Sequence, residues 1–224
     1  MAIYATDEDV AIRVPTDFSN LCPSDQIVAA GSDGAFTAEA PWILHSASQS
    51  FLASGVKPGH LVRLRRPESI YPPPGELLAI HQVSEHSIEL RRKGFGVRQG
   101  QAPAPQSGLA GVEFVILSFQ PQLELASADL DDRFGIDASK PGRRPEEVLD
   151  MASLRDLTVL LTLLRRYREL GTNPADVNNA MTFKANRLQE EFDQRLSRAF
   201  HRRTMVPTAS GTGLAGRMST RLGR

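Results

Sequence analysis

Apolar residues along this chain recur at two different spacings, and the change falls near residue 120. From Gln26 to Phe119 they come in runs of 4 to 8 residues broken by Gly, Pro, Ser or Asp, which is the pattern of short strands. The runs Ile27–Ala30, Trp42–Ala47, His60–Arg65, Leu77–Val83, Ser87–Arg92 and Val112–Phe119 predict strands of a small barrel or sandwich. Gly31-Ser32-Asp33-Gly34 predicts a turn, Ser84-Glu85-His86 a hairpin tip, and Lys57-Pro58-Gly59 a turn of the kind that leads into SH3-like barrels. The stretches Arg66–Glu76 and Lys93–Gly111 carry no apolar period and read as loops; the second sets Arg91, Arg92, Lys93 and Arg98 around Phe95, an arm suited to a neighbouring subunit or an acidic surface.

From Pro121 onward the period becomes helical, about 3.6 residues. Leu123, Ala126, Leu130 and Phe134 predict a helix over Pro121–Phe134, stopped by Gly135. A second helix is expected to begin near Pro145, with Glu146 and Glu147 in its first turn, Leu149, Leu154, Leu157, Leu161 and Leu164 on its core face, and Gly171 at its end. Asn173-Pro174 opens a third, on which Val177, Met181, Leu188, Phe192, Leu196 and Phe200 form an apolar stripe; helices two and three predict a long αα-hairpin. Thr6 followed by Asp9 has the form of a capping box for a short helix over Thr6–Ile12 that packs with the later helices. The fold class read from this pattern is α+β, a helical-bundle domain carrying an inserted small β-barrel or sandwich-like domain. Its expected organisation is an N-terminal helix and linker (1–25), a β-rich domain (26–120), a helical bundle (121–206) and an extended basic tail (207–224).

Composition narrows the class of function. A hydrophobic fraction of 41% and a charged fraction of 23% suit a globular body, and the balance of 26 Lys+Arg against 26 Asp+Glu excludes a bulk polyelectrolyte role. Any charge effect is therefore local. Only Lys57, Lys93, Lys140 and Lys184 are lysines; the other basic residues are arginines, which suit interfaces and phosphates, although a coding bias gives the same skew. Residues 201–224 hold Arg202, Arg203, Arg217, Arg221 and Arg224 and no carboxylate, so this end reads as a tail that orders on a partner or as a frayed terminus. The opening MAIYATDEDV lacks a basic and then apolar run, so export is not expected, and the apolar stretch Leu157–Leu164 is too short to span a membrane.

A search for chemistry assembles no catalytic set. Gly211-Thr212-Gly213-Leu214-Ala215-Gly216 matches a dinucleotide fingerprint in letters only, since it follows a helix and only eight residues remain after it. His81 and His86 flank the proposed hairpin tip but have no third ligand near them, and they read as surface histidines. Asp129, Asp131, Asp132 and Asp137 lack the glycine and terminal Glu of a calcium loop and read as an acidic face, one that suits an arginine of a neighbouring copy. Cys22, the single cysteine, excludes an internal disulfide and a Cys-rich zinc cluster, and with no base nearby it reads as a packed residue. No metal and no cofactor is expected.

The stretch from Phe119 to Arg203 resembles the head-to-tail connector family of tailed bacteriophages, the adaptor or head-completion proteins that sit below the portal. The likeness is carried by Leu123-Glu124-Leu125-Ala126-Ser127-Ala128-Asp129-Leu130 with Arg133-Phe134-Gly135-Ile136, by the leucine-rich helix ending Arg165-Arg166-Tyr167, and by Lys184 to Phe200. The opening Tyr4-Ala5-Thr6-Asp7-Glu8-Asp9-Val10 adds to it. The resemblance implies a helical-bundle adaptor without catalytic activity, located at the neck of the virion and made in the host cytoplasm. It implies a homo-oligomeric ring, usually of twelve copies, that contacts the portal protein, the next tail or neck component and, transiently, the genomic DNA in the channel, with no membrane involved. On this reading Arg202, Arg203, Arg217, Arg221 and Arg224 meet the portal or a neighbouring subunit, and Asp129, Asp131, Asp132, Arg165, Arg166 and Arg195 lie at subunit interfaces. The β-rich region is a departure from the minimal adaptor. The alternative from the residues alone is a nucleic-acid-binding or regulatory module built from an SH3-like barrel and a helical hairpin.

Overall fold

The computed structural model describes residues 2–66, 76–94, 108–171 and 180–201. Six strands, β1 (Ile27–Phe36), β2 (Ile43–His45), β3 (Leu61–Arg66), β4 (Leu77–Val83), β5 (Ser87–Arg92) and β6 (Val112–Leu117), close into an antiparallel barrel in the order β1-β2-β5-β4-β3-β6. The helices are α1 (Asp7–Arg13), α2 (Phe18–Leu21), α3 (Gln120–Phe134), α4 (Met151–Gly171) and α5 (Ala180–His201). Closure comes from β1 pairing with β6, with Ile27 opposite Leu117 and Gly34 opposite Val112.

Alternation along three of these strands explains how barrel and helices fit together. Successive side chains of a strand point to opposite faces. In β3, Val62 and Leu64 point into the barrel while Leu61 packs with the helices; in β4, Leu78 and Ile80 point in while Leu77 and Ala79 point to the helices. In β6, Val112, Phe114 and Ile116 fill the barrel while Val115 and Leu117 join the helical core. That core continues through Val10, Phe18, Leu123, Leu130, Leu157, Leu164 and Phe192. This corrects the expected fold class. A helical bundle carrying a separate inserted β-domain would leave the outer face of the barrel polar, whereas here side chains from one wall of the closed barrel belong to the same buried core as the helices.

Local differences from the expected pattern have local causes. Gly31 to Gly34 lie inside β1 and do not end it: the register with β6 slips between them, which is a bulge, and Asp33 turns out to accept from Ser46 Oγ and the Ser48 amide, both at 2.8 Å. The helix expected from Pro145 is only a 3-10 turn over Pro145–Glu147; the chain then extends to Asp150, whose carboxylate accepts from the Ser153 amide at 3.0 Å and starts α4, leaving Leu149 69% exposed and off the core face. Gly135 ends α3 as expected, in a left-handed conformation with φ 65°. The αα-hairpin forms from α4 and α5, while Asn173, Pro174, Val177 and the tail 207–224 lie outside the described residues.

Helix α1 is fastened by three consecutive acids. Asp9 and Thr6 form the expected capping box, with the Thr6 amide donating to Asp9 Oδ2 at 2.8 Å. Asp7 and Glu8, though on the first turn, are buried. Asp7 Oδ1 accepts from the Phe119 amide at 2.6 Å, where the barrel passes into α3. Glu8 accepts from Arg91 of β5 at 2.5 Å and from the Gly94 amide at 2.9 Å. The other Asp7 oxygen is buried without a hydrogen-bond partner, and burial raises this carboxyl from 3.8 to about 7 despite the amide bond.

Two predictions follow from this packing. A Cβ at Gly34 would lie 2.8 Å from the Val112 carbonyl oxygen and 2.9 Å from Leu44 Cδ1, so Gly34→Val is expected to lower stability in urea unfolding by about 1–3 kcal/mol, the usual cost of overpacking. Because the folded protein holds the Asp7 proton between pH 3.8 and about 7 while the unfolded chain releases it, this residue's contribution to stability is full at the acid end and lost as pH rises through that window. Asp7→Asn keeps the acceptor for the Phe119 amide and cannot ionise; the difference in unfolding midpoint between variant and wild type is expected to grow in the variant's favour from pH 5 to pH 8.

Candidate functional site

A groove of about 760 Å³ lies between the end of α1, the following Val14–Asp17 segment, and the outer faces of α4 and α5. Its floor is apolar, with Val14, Val159, Leu160 and Leu188, and Ile12 stands at its edge 52% exposed. The elements that form it are rigid for identifiable reasons. Tyr167, buried on α4, donates its hydroxyl to Asp17 Oδ2 at 2.6 Å, and Lys184 of α5 binds the same oxygen while lying 5.5 Å over the Tyr167 ring. These bonds from Lys184 and Tyr167 hold the Asp17 carboxyl below its ordinary range, and burial next to that carboxylate pushes the Tyr167 phenol up.

Charge on the groove is unevenly satisfied. Arg13 pairs with Glu191, and Arg195 bridges Glu191, at 3.0 Å, and Asp156, tying α1, α4 and α5 together. Burial alone would push the Glu191 carboxyl up, but Arg13 and Arg195 outweigh it and hold it below its ordinary value. Arg155 and Arg187 also line the groove; both are exposed, and neither has a carboxylate partner among the described residues.

The residues singled out from sequence fall into separate places. Asp129 of α3 is engaged by Arg165 of α4, and Asp131 accepts the Tyr4 hydroxyl and is raised chiefly by burial. Asp132 is exposed and has no ion-pair partner among the described residues. Arg166 donates to the Leu21 carbonyl at 2.5 Å and to Glu169 at 2.7 Å, which fixes α2 on α4. Among the described members of the set, Arg195 alone lines the groove. Arg202, Arg203, Arg217, Arg221 and Arg224 lie outside the described residues. His81 and His86 stay at the β4–β5 hairpin, where His86 Nδ1 is 2.8 Å from the Gln49 carbonyl, and no group of three metal-ligating side chains occurs among the described residues. Arg155 and Arg187 were not distinguished by pattern. On a helix polar on one side every arginine reads alike, and only the tertiary pairing shows which ones are left over.

Among the described residues no helix is long and apolar enough to cross a membrane. Compared with known proteins, the chain matches no family model, no curated protein and no solved structure at a significant level.

The two kinds of groove charge should respond differently to removal. Asp17→Ala is expected to cost about 1–3 kcal/mol, since it leaves the Tyr167 hydroxyl and Lys184 without their shared acceptor. Arg155→Ala and Arg187→Ala are expected to change stability by less than about 0.5 kcal/mol, as exposed residues without partners do. Thermal or urea unfolding of the three variants checks both statements.

Proposed function

We propose that this chain is a structural protein of a virion, a head-to-tail connector of a tailed bacteriophage that assembles as a ring below the portal and joins capsid to tail. One observation supports this reading above the others. Helices α3, α4 and α5, closed by α1, form a continuous helical layer from the very stretches that carry the connector resemblance, and α5 runs to His201, next to a segment with five arginines and no acid. A ring multiplies each modest contact by its copy number, so such a layer needs no large apolar patch on any one copy. An arginine arm offers forked donors to acidic groups on a portal. In this reading the barrel is an elaboration that stiffens the helical layer from one side and presents its far strands to the next neck component, and contact with the passing genome is transient because tight phosphate binding would hinder ejection.

The test mixes the full chain with portal protein from its own source and images the product by electron microscopy. A ring on the portal is expected, with binding lost on deletion of 208–224 while the unfolding temperature is unchanged. Absence of both ring and portal binding, together with submicromolar DNA affinity, would replace this reading with that of a nucleic-acid-binding module.

A further inference from the structure

We infer that the groove between α1, α4 and α5 is one half of a contact between copies of this chain, and that its occupant is the exposed edge of α3 from the next copy. This inference rests on the ring reading above and adds the surfaces that close it.

The groove specifies the chemistry of its occupant. Of its own carboxylates, Asp17, Asp156 and Glu191 are already held by Lys184, Arg195 and Arg13, and Asp9 by the Thr6 amide and hydroxyl of the capping box, so the sites left over are the two cationic ones at Arg155 and Arg187. Beside them lie apolar surfaces open to water: Ile12 at the edge, and Phe183, 72% exposed one turn before Arg187 on α5. An occupant that satisfies both presents an apolar side chain and a carboxylate on one convex edge. The basic segment 201–224 does not fit, because it has no acid to offer the two arginines.

The edge of α3 does fit. Leu125 is 62% exposed and Asp132 is exposed and unpaired among the described residues. Seven residues apart, they lie on one side of the helix, separated by about 10 Å along its axis at ~1.5 Å rise per residue. The opposite side of α3, through Leu123, Ala126, Leu130 and Phe134, is buried in the core, so this edge is held in place. Asp129, between the two, is already tied to Arg165, which leaves Asp132 as the carboxylate this edge offers. Groove and edge are different surfaces of one chain. Their pairing is therefore heterologous, the kind that continues from copy to copy until a rotation closes it.

Cross-linking and charge reversal on the full chain test this together. With Ile12→Cys and Leu125→Cys in the same chain, oxidation is expected to give a ladder of three or more covalently joined copies, which neither single substitution can give. The native Cys22 is buried, with its thiol pushed up by burial to about 12, and stays out of the reaction. Arg187→Glu and Asp132→Arg are each expected to weaken self-assembly about tenfold or more by mass photometry, and an equimolar mixture of the two variants to restore it, since alternating copies pair every groove with an edge of opposite charge. Assembly that persists through both reversals without a ladder would overturn the groove-and-edge contact and leave the ring reading standing. A ladder with the expected reversals but no portal binding would keep the contact and overturn the connector reading. Loss of portal binding in Arg187→Glu with self-assembly intact would assign the groove to the portal and overturn the inference. No assembly alone or on the portal, and no ladder, would overturn both.

Discussion

Strands β3, β4 and β6 divide their apolar side chains between two buried cores. Each alternates between side chains that fill the barrel and side chains that belong to the helical core, so the wall they form is stable only when covered on both sides. The remaining architecture answers that constraint. Side chains of α1 to α5 share one buried core with that wall, including Val10, Phe18, Leu21, Leu123, Leu157 and Phe192, and α1 is also tied to the barrel through Glu8 with Arg91 and Gly94. A covered wall also brings backbone polar groups out of water, and the consecutive acids of α1 meet them: Asp7 takes the Phe119 amide, Glu8 the Gly94 amide and the Arg91 guanidinium. The unusual protonation of Asp7 is the cost of using a carboxylate where a neutral acceptor would serve.

The same economy appears in the ion pairs of the helical layer. Arg13, Lys184 and Arg195 are each spent on holding α1, α4 and α5 in register with one another. A chain of zero net charge that uses its carboxylates this way leaves particular arginines without partners, and their position, not their number, carries information about assembly. Overall neutrality is thus compatible with sharply local demands for negative charge, at Arg155 and Arg187 on the groove and in the acid-free segment after residue 200.

Much of the local structure was legible along the chain. The Thr6–Asp9 capping box, the Gly135 stop of α3, the apolar stripes of α4 and α5 and the positions of most strands depend on residues within about four positions of one another, and propensity and periodicity report on that range. The turn chemistry of Gly31 to Gly34 was real but was used for a bulge, because the close approach of β6 at Val112 selects glycine there as strongly as a reversal would. Leu149 looked like a core leucine by period and lies outside, since Asp150 starts the helix one residue later.

The sequence by itself determined most of the strand and helix segments, the caps at Thr6 and Gly135, and that no single-sign charge or cysteine framework governs the chain. Tertiary structure decided that the barrel closes and that one of its walls is shared with the helices, as well as which charges are paired. Those outcomes rest on contacts such as Asp7 with Phe119, 112 residues apart, or Lys184 with Asp17, 167 apart. At such separations no local pattern constrains the partner; burial of both faces of a strand, and the pairing that makes burial of a charge tolerable, are properties of the assembled fold.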